Sequence, residues 1–250
     1  MGQDISIKAY WTNNIDEKAI SDFIWIHNNV FKSNFNECKF NRKYKKNIYG
    51  PSIVVLAYIN KRCVGARAFW RNDIGNLKAY QPCDTGVLAP YRGLGIFTKM
   101  TFKAIDVVGK NVLIYNFPNN HSYPGYLKMG WELKDIKRYK VYNPLQDYIE
   151  IDKLPDDYLT WLVEDFEQGF NSSLYYTCIC NRYYLIKKIK FNLYVIIAEI
   201  NKSNSIYFKK ASIPICLFYS RKGYLGRGIY TVTKNLKCAD IPIYKMDTIF

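Results

Sequence analysis

Apolar and polar residues alternate in short runs along most of the chain and give way to a helical period in only a few places. Ile5–Trp11 alternates with period two and predicts a first strand. Residues 15–31 instead place Ile20, Phe23, Ile24, Ile26, Val30 and Phe31 on one helical face, with Asp16 and Glu17 in the first turn, where the helix dipole favours acids. Ser52–Ile59 and Arg62–Trp70 read as strands joined by the two-residue turn Asn60-Lys61, and after a turn at 71–76 the stretch Leu77–Leu88 reads as a third. Ile96, Phe97, Met100, Ile105, Val107 and Val108 then repeat near helical spacing until Gly109, and Asn111–Phe117 is a buried-looking strand. Beyond Pro155 a helix carries Leu159, Leu162, Val163 and Phe166 on one face. The strands Leu174–Cys180, Tyr183–Lys187, Asn192–Glu199, Ile213–Ser220 and Gly228–Thr233 follow. The whole predicts an α/β class, a mixed α+β sheet with a strand-rich C-terminal part.

The pattern changes most sharply at Val87-Leu88-Ala89-Pro90-Tyr91-Arg92-Gly93-Leu94-Gly95-Ile96, where a strand ends, Pro90 stops it and two glycines turn the chain into a helix. The first amides of a helix lack partners inside it and carry partial positive charge, so an anion is expected at residues 93–97. Arg92 adds a full charge there, and Lys99 and Lys103 lie one and two turns along. The bland alternative is a glycine turn with solvated lysines. The spacing is neither that of a P-loop, which needs Gly-Lys-Ser/Thr, nor that of a dinucleotide fingerprint, since Thr98 stands where Gly or Ala is required.

Arg92-x-x-Gly95-x-Phe97 resembles the Gln/Arg-x-x-Gly-x-Gly/Ala element of the GCN5-related N-acetyltransferase (GNAT) superfamily, with Phe97 departing from the usual small residue. A second segment, Asn119 to Trp131, is similar to another signature of that family: Asn119, then Tyr126 seven residues on, then the pair Gly130-Trp131. The resemblance covers residues 5–142. It implies a GNAT domain over 1–143, with 144–250 as a mainly-β domain, possible as a degenerate second GNAT-like unit shaping the acceptor site. It also implies acetyl-CoA or another acyl-CoA as donor. The diphosphate would lie against Arg92 and the amides of Gly93, Leu94, Gly95, Ile96, Phe97 and Thr98, with Asn119 also on the cofactor. The strands before and after the central helix would splay to admit the pantetheine arm.

Acyl transfer from a thioester to an amine needs a neutral amine, an oxyanion held by N–H groups and a proton for the departing thiolate. By the resemblance, Tyr126 is the general acid, and the oxyanion contact comes from Leu88 or a neighbour. Tyr126 packing in the core is the alternative, and Tyr123 is the substitute if the loop is shifted. Asp84, four residues before Leu88, is the first candidate base, with a structural Asp at the bend beside Thr85-Gly86 as its alternative and His121 second by type. Cys83 is read as a core residue, so no covalent nucleophile is assigned.

Composition adds limits. Net charge is +15, from 36 Lys and Arg against 21 Asp and Glu, which favours acidic partners without choosing among them. The run Arg42, Lys43, Lys45, Lys46 is read as a wet face. Seven scattered cysteines without a Cys-x-x-Cys pair, and only two histidines, argue against a zinc site and for reduced cytoplasmic thiols, so no metal is expected. No signal peptide or membrane span is read, and Met1-Gly2 with Ser6 is taken as a chance match to a myristoylation pattern. Leu225-Gly226-Arg227-Gly228 imitates the glycine loop, but a β-favouring run follows it, so it is read as a hairpin turn. The function these features predict is acetyl transfer from acetyl-CoA to a primary amine, either a small amine or an amino sugar that a nucleotide could carry. The rival is a non-catalytic basic protein binding nucleic acid or another anionic partner, its acyltransferase motif degenerate at Phe97.

Overall fold

The computed structural model describes residues 4–143, 151–164, 173–212, 214–236 and 240–246. Of the positions singled out in the sequence, Met1-Gly2, Phe166, Ile213 and Cys238 lie outside them. Strands β1 (Ile5–Trp11), β2 (Ile53–Ile59), β3 (Arg62–Arg71) and β4 (Ala79–Val87) form an antiparallel meander. Asn60 and Lys61 both take positive φ, 49° and 64°, the conformation that lets a two-residue turn follow the twist of its strands.

Helix α1 (Glu17–Phe31) starts where the Asp16 carboxylate accepts from the Ala19 N–H at 2.7 Å, and it buries Ala19, Ile20, Phe23 and Ile26 against β2, β3 and β4. The short α2 (Glu37–Phe40) runs into a wider π turn at Asn41–Lys45 that sinks Tyr44 completely. Neither α2 nor the π turn was expected from the polar run there. Helix α3 (Ile96–Val108) packs Ile96, Met100 and Ala104 onto Ile53, Val55, Ala57 and Ile59, alternate residues of β2 that share one face of the sheet. Strand β5 (Leu113–Asn116) runs parallel to β4, and α4 (Tyr123–Lys128) adds Tyr126 to the α3 cluster.

Two compact units result, Met1–Leu133 with Val232–Ala239, and Lys134–Thr231 with Asp240–Phe250. In the first, the meander is followed by the parallel pair β4–β5, and β5 is flanked antiparallel by the end of β12 (Leu225–Lys234) through Val232↔Asn116, Thr233↔Tyr115 and Lys234↔Ile114. The second unit repeats this order. Its strands β7 (Leu174–Ile179), β8 (Arg182–Lys190) and β9 (Leu193–Ile200) form a meander, β9 is parallel to β11 (Ile215–Ser220), and β11 is flanked antiparallel by β6 (Glu132–Val141). The two-residue β10 (Lys209–Lys210) lies parallel on β7, and α5 (Asp156–Val163) buries Tyr158 and Leu159. Where the first unit has α3, the described residues of the second have a 3-10 turn, Lys202–Tyr207, after β9. Its core gathers Tyr184, Ile186, Tyr194, Ile196 and Phe218.

The expected hairpin turn at Leu225–Ile229 is instead the opening of β12, and the turn falls earlier, at 221–224. The glycines belong to the strand because neighbours crowd them: a Cβ on Gly228 would lie 2.8 Å from Ile136 Cγ2, and one on Gly226 would lie 3.0 Å from the Tyr139 ring. Among the described residues no helix is long and apolar enough to cross a membrane.

Met100 is fully buried beneath α3 and fixes the height of that helix over the sheet. Met100→Ala is expected to destabilise the chain by about 2–5 kcal/mol, read as a lower urea midpoint at unchanged slope.

Candidate active site

The turn into α3 presents open backbone. Gly93 and Gly95 hold φ of +81° and +71°, where a side chain would be strained, and nothing lies within 4 Å of where a Cβ would stand on either. No side chain caps α3, and its first backward bond is Lys99 N–H to the Gly95 carbonyl at 3.0 Å, so the amides ahead of Lys99 point along the axis. Arg92 is exposed beside them and donates from Nε to the Val87 carbonyl at 3.1 Å, which ties its stem to the strand end. A depression of about 380 Å³ opens here, lined by Val87, Tyr91, Arg92 and residues of the turn. These features fit a diphosphate.

Next to it the parallel strands part. Among the described residues β4 and β5 pair only at Ala79↔Leu113 and Tyr80↔Ile114, although β4 runs on to Val87 and β5 to Asn116. The Leu88 N–H, expected at the oxyanion, is committed to the Val64 carbonyl of β3 at 3.0 Å. Strand alternation turns the preceding amide, that of Val87, toward the opening instead.

Tyr126, buried on α4, reaches both β3 and the end of β5. Its hydroxyl accepts from Arg67 Nη2 at 2.6 Å and from Asn116 Nδ2, while Asn116 Oδ1 accepts from the Phe117 N–H at 2.8 Å and so fixes which way that amide faces. Both partners donate, which leaves the phenol with its own proton still to give. The second signature acquires a physical reading. Gly130 ends α4 with φ +74°, the Trp131 N–H returns to the Tyr126 carbonyl at 3.1 Å, and the Trp131 ring meets the Tyr126 ring edge-on at 4.8 Å. Asn119 accepts with its side-chain oxygen from the amides of His121 and Ser122, at 3.0 and 2.9 Å, so its observed work is to shape the entry to α4. His121 is exposed.

Asp84 faces a different set of groups. Lys43 Nζ lies 2.7 Å from one carboxylate oxygen and His27 Nε2 lies 3.7 Å from the other, and the buried Tyr44 hydroxyl donates to the first. Burial pushes the Asp84 carboxyl up, but the Lys43 charge and the contacts with His27, Lys43 and Tyr44 outweigh it and hold the group well below the usual carboxylate range. A carboxyl held that low is a poor proton acceptor, and the structure gives it the part of a charge anchor between β4 and the π turn. Lys43 is correspondingly no wet-face residue. Burial, with Asp84 beside it, raises the Tyr44 phenol well above its ordinary value. Arg67, Asn116, His27 and Lys43 were not singled out from the sequence as site residues. The one available signal was Arg67, a charge in the middle of the apolar run Cys63–Trp70.

A loop for a diphosphate beside a parted strand pair suits a transferase whose donor is long, thin and anionic at one end. Residues 12–134 match the acetyltransferase (GNAT) domain family. N-alpha-acetyltransferase 50 of Danio rerio is 30% identical over 128 residues, 48% of this chain and 74% of that protein. Two solved structures match almost the whole chain in fold. One is a Pyrococcus horikoshii protein provisionally named an acetyltransferase, with TM-score 0.54 and 12% identity over 96% of this chain and 94% of that one. The other is a GCN5-related N-acetyltransferase of Kribbella flavida, with TM-score 0.52 and 9% identity over 92% and 71%. The chain belongs to the GNAT family of acyltransferases, whose members use coenzyme A thioesters.

Because the folded-state value of Asp84 is depressed, its contribution to stability is complete above the unfolded value of about 4 and is lost as pH falls through the folded value. Asp84→Asn, which strands Lys43, is expected to cost about 3 kcal/mol at pH 7. In urea titrations the gap from the parent chain should persist at pH 5 and narrow only below about pH 4.

Proposed function

We propose that the chain transfers an acetyl group from acetyl-CoA to a primary amine by direct attack in a ternary complex. The observation that carries this reading is the Tyr126 hydroxyl, held by donors from β3 and from the end of β5, next to the stretch where β4 and β5 no longer pair, with its proton uncommitted. When bound, the donor supplies a thioester whose thiol, with an ordinary pKa of about 8.5, is a good leaving group without a covalent enzyme intermediate. Arg92 and the amides of Gly93 through Thr98 hold the diphosphate. The unpaired edges of β4 and β5 bind the amides of the pantetheine arm, and the Val87 N–H serves the carbonyl oxygen. Tyr126 gives its proton to sulfur as the bond to carbon breaks.

The acceptor is a primary amine that reaches the gap in its neutral form. A nucleotide-linked amino sugar, which carries phosphate, suits the basic surplus of the chain, and free amino sugars and small amines are the other candidates. The Danio rerio relative is named for α-amino groups, which adds peptide N-termini to the acceptors worth testing.

Acetyl-CoA is expected to raise the unfolding temperature, with free coenzyme A competing. Thiol release should then appear with at least one member of a panel containing glucosamine, a small alkylamine and a peptide with a free N-terminus. Tyr126→Phe is expected to lower kcat by about a hundredfold while the acetyl-CoA concentration for half-maximal stabilisation stays the same. An unchanged kcat would remove Tyr126 as the acid. Salt-sensitive binding of nucleic acid with no coenzyme effect would replace the enzyme reading by that of a binding protein.

A further inference from the structure

Arg67 is the largest fully buried side chain in the described structure, and among the described residues it has no carboxylate partner. Nη2 donates to the Tyr126 hydroxyl at 2.6 Å, while Nε and Nη1 are buried with no hydrogen-bond partner. Its guanidinium carbon lies 4.5 Å from the centre of the Phe97 ring, 5.4 Å from that of Phe69 and 5.6 Å from that of Tyr126. Aromatic faces attract a cation, but they only partly replace water or a counter-ion. An apolar residue of similar volume would suit the position at least as well for stability, since buried charges are seldom retained for that purpose. The position therefore needs its charge for something other than folding. Among the described residues, Tyr126 is the one group to which Arg67 is hydrogen-bonded.

The geometry points to Arg67 as a positioning residue for Tyr126: with Asn116 it occupies the acceptor side of the phenol oxygen, aims the remaining proton into the strand gap, and neutralises the phenolate left when that proton departs. This rests on the acid role of Tyr126 proposed above. The protons and bonds balance. The amine nitrogen bonds to the acyl carbon, the C–S bond breaks with its electron pair on sulfur, and sulfur takes the proton of Tyr126. The proton shed by the ammonium returns to the phenolate through water. Between donation and return the negative charge sits on the Tyr126 oxygen, beside the guanidinium. Phe97, where the family usually has Gly or Ala, is the ring closest to that guanidinium and meets Tyr126 edge-on at 5.8 Å, so it closes Arg67 off from solvent on the α3 side.

The test compares Arg67→Met, Arg67→Lys and Asn116→Ala, each alone and combined with Tyr126→Phe. Turnover is read as thiol release from acetyl-CoA with hydroxylamine, an acceptor small enough to need no dedicated pocket, after subtraction of the enzyme-free rate, and unfolding temperature is read in parallel. Arg67→Met is expected to unfold at the same or a higher temperature, yet to lose about ten- to a hundredfold in kcat with KM for acetyl-CoA within about twofold. Arg67→Lys should recover part of the loss, and Asn116→Ala should show a smaller loss of the same kind. None should lower kcat further in the Tyr126→Phe background, because residues that act as a unit are not additive. If Arg67→Met does not fold, the lysine and Asn116 pairs carry the same comparison. Equal losses in both backgrounds, or a lower unfolding temperature with kcat unchanged, would overturn the role of Arg67. A Tyr126→Phe chain as fast as the parent would instead sink the acid itself, and thiol release no faster with the parent chain than without it, for hydroxylamine and for every amine, would sink the transferase reading.

Discussion

Strands β4 and β5 stop pairing after Tyr80 and Ile114 while both continue, and the rest of the site depends on that parting. Two constraints enforce it. On one side, the β3–β4 register slips between Ala66 and Ala68, and Asp84 in that stretch takes φ +45°, so β4 is bulged and bent there. Lys43 and Tyr44 bind the Asp84 carboxylate in this unusual backbone conformation, which ties the bend of β4 to the π turn. On the other side, β5 is paired along its far edge with β12, up to Asn116. The strands are thus fixed by different neighbours, and the N–H and C=O groups between them need a partner from outside.

Much of the first unit was legible in the sequence. The first strands, the α1 stripe and the α3 stripe fall within a residue or two of their expected ends: β1 and the helices show a period because one side is more buried, while β2 and β3 are buried on both faces and read as apolar runs bounded by turns. The glycine turn was legible because positive φ selects glycine at both positions. What was hidden is what non-local contacts decide. The π turn at Asn41–Lys45 looks polar because its charges are visible in the sequence, while the Asp84 that neutralises Lys43 is far along the chain. The loss of the Leu88 amide to Val64 depends on β3–β4 register, which periodicity does not report. In the second unit the glycines at 226 and 228 were misread as turn residues because glycine also serves close packing, and only the neighbouring Ile136 and Tyr139 distinguish the two uses.

The two signatures turn out to be packing statements as much as chemical ones. Gly130 and Trp131 matter because they end α4 and wedge the Tyr126 ring, and Asn119 matters because it folds the approach to that helix. Phe97 sits at a motif position and faces inward, toward Arg67, Gly125 and Tyr126, while the amides of the turn stay open. Its departure from the family pattern therefore goes with packing against the buried cation beside Tyr126.

The last turn of α4 is held by a residue from far later in the chain. Lys234 Nζ donates to the Met129 and Gly130 carbonyls at 3.0 and 2.8 Å, and Asn235 donates to those of Gly109 and Val112. With β12 it completes the edge of β5 as well. The glycine turn, the gap and Tyr126 all precede the sequence of the second unit, yet the unit that contains them is closed by residues 232–235, which follow it. The order of translation therefore leaves the far edge of β5 open until the sequence of the second unit has been made.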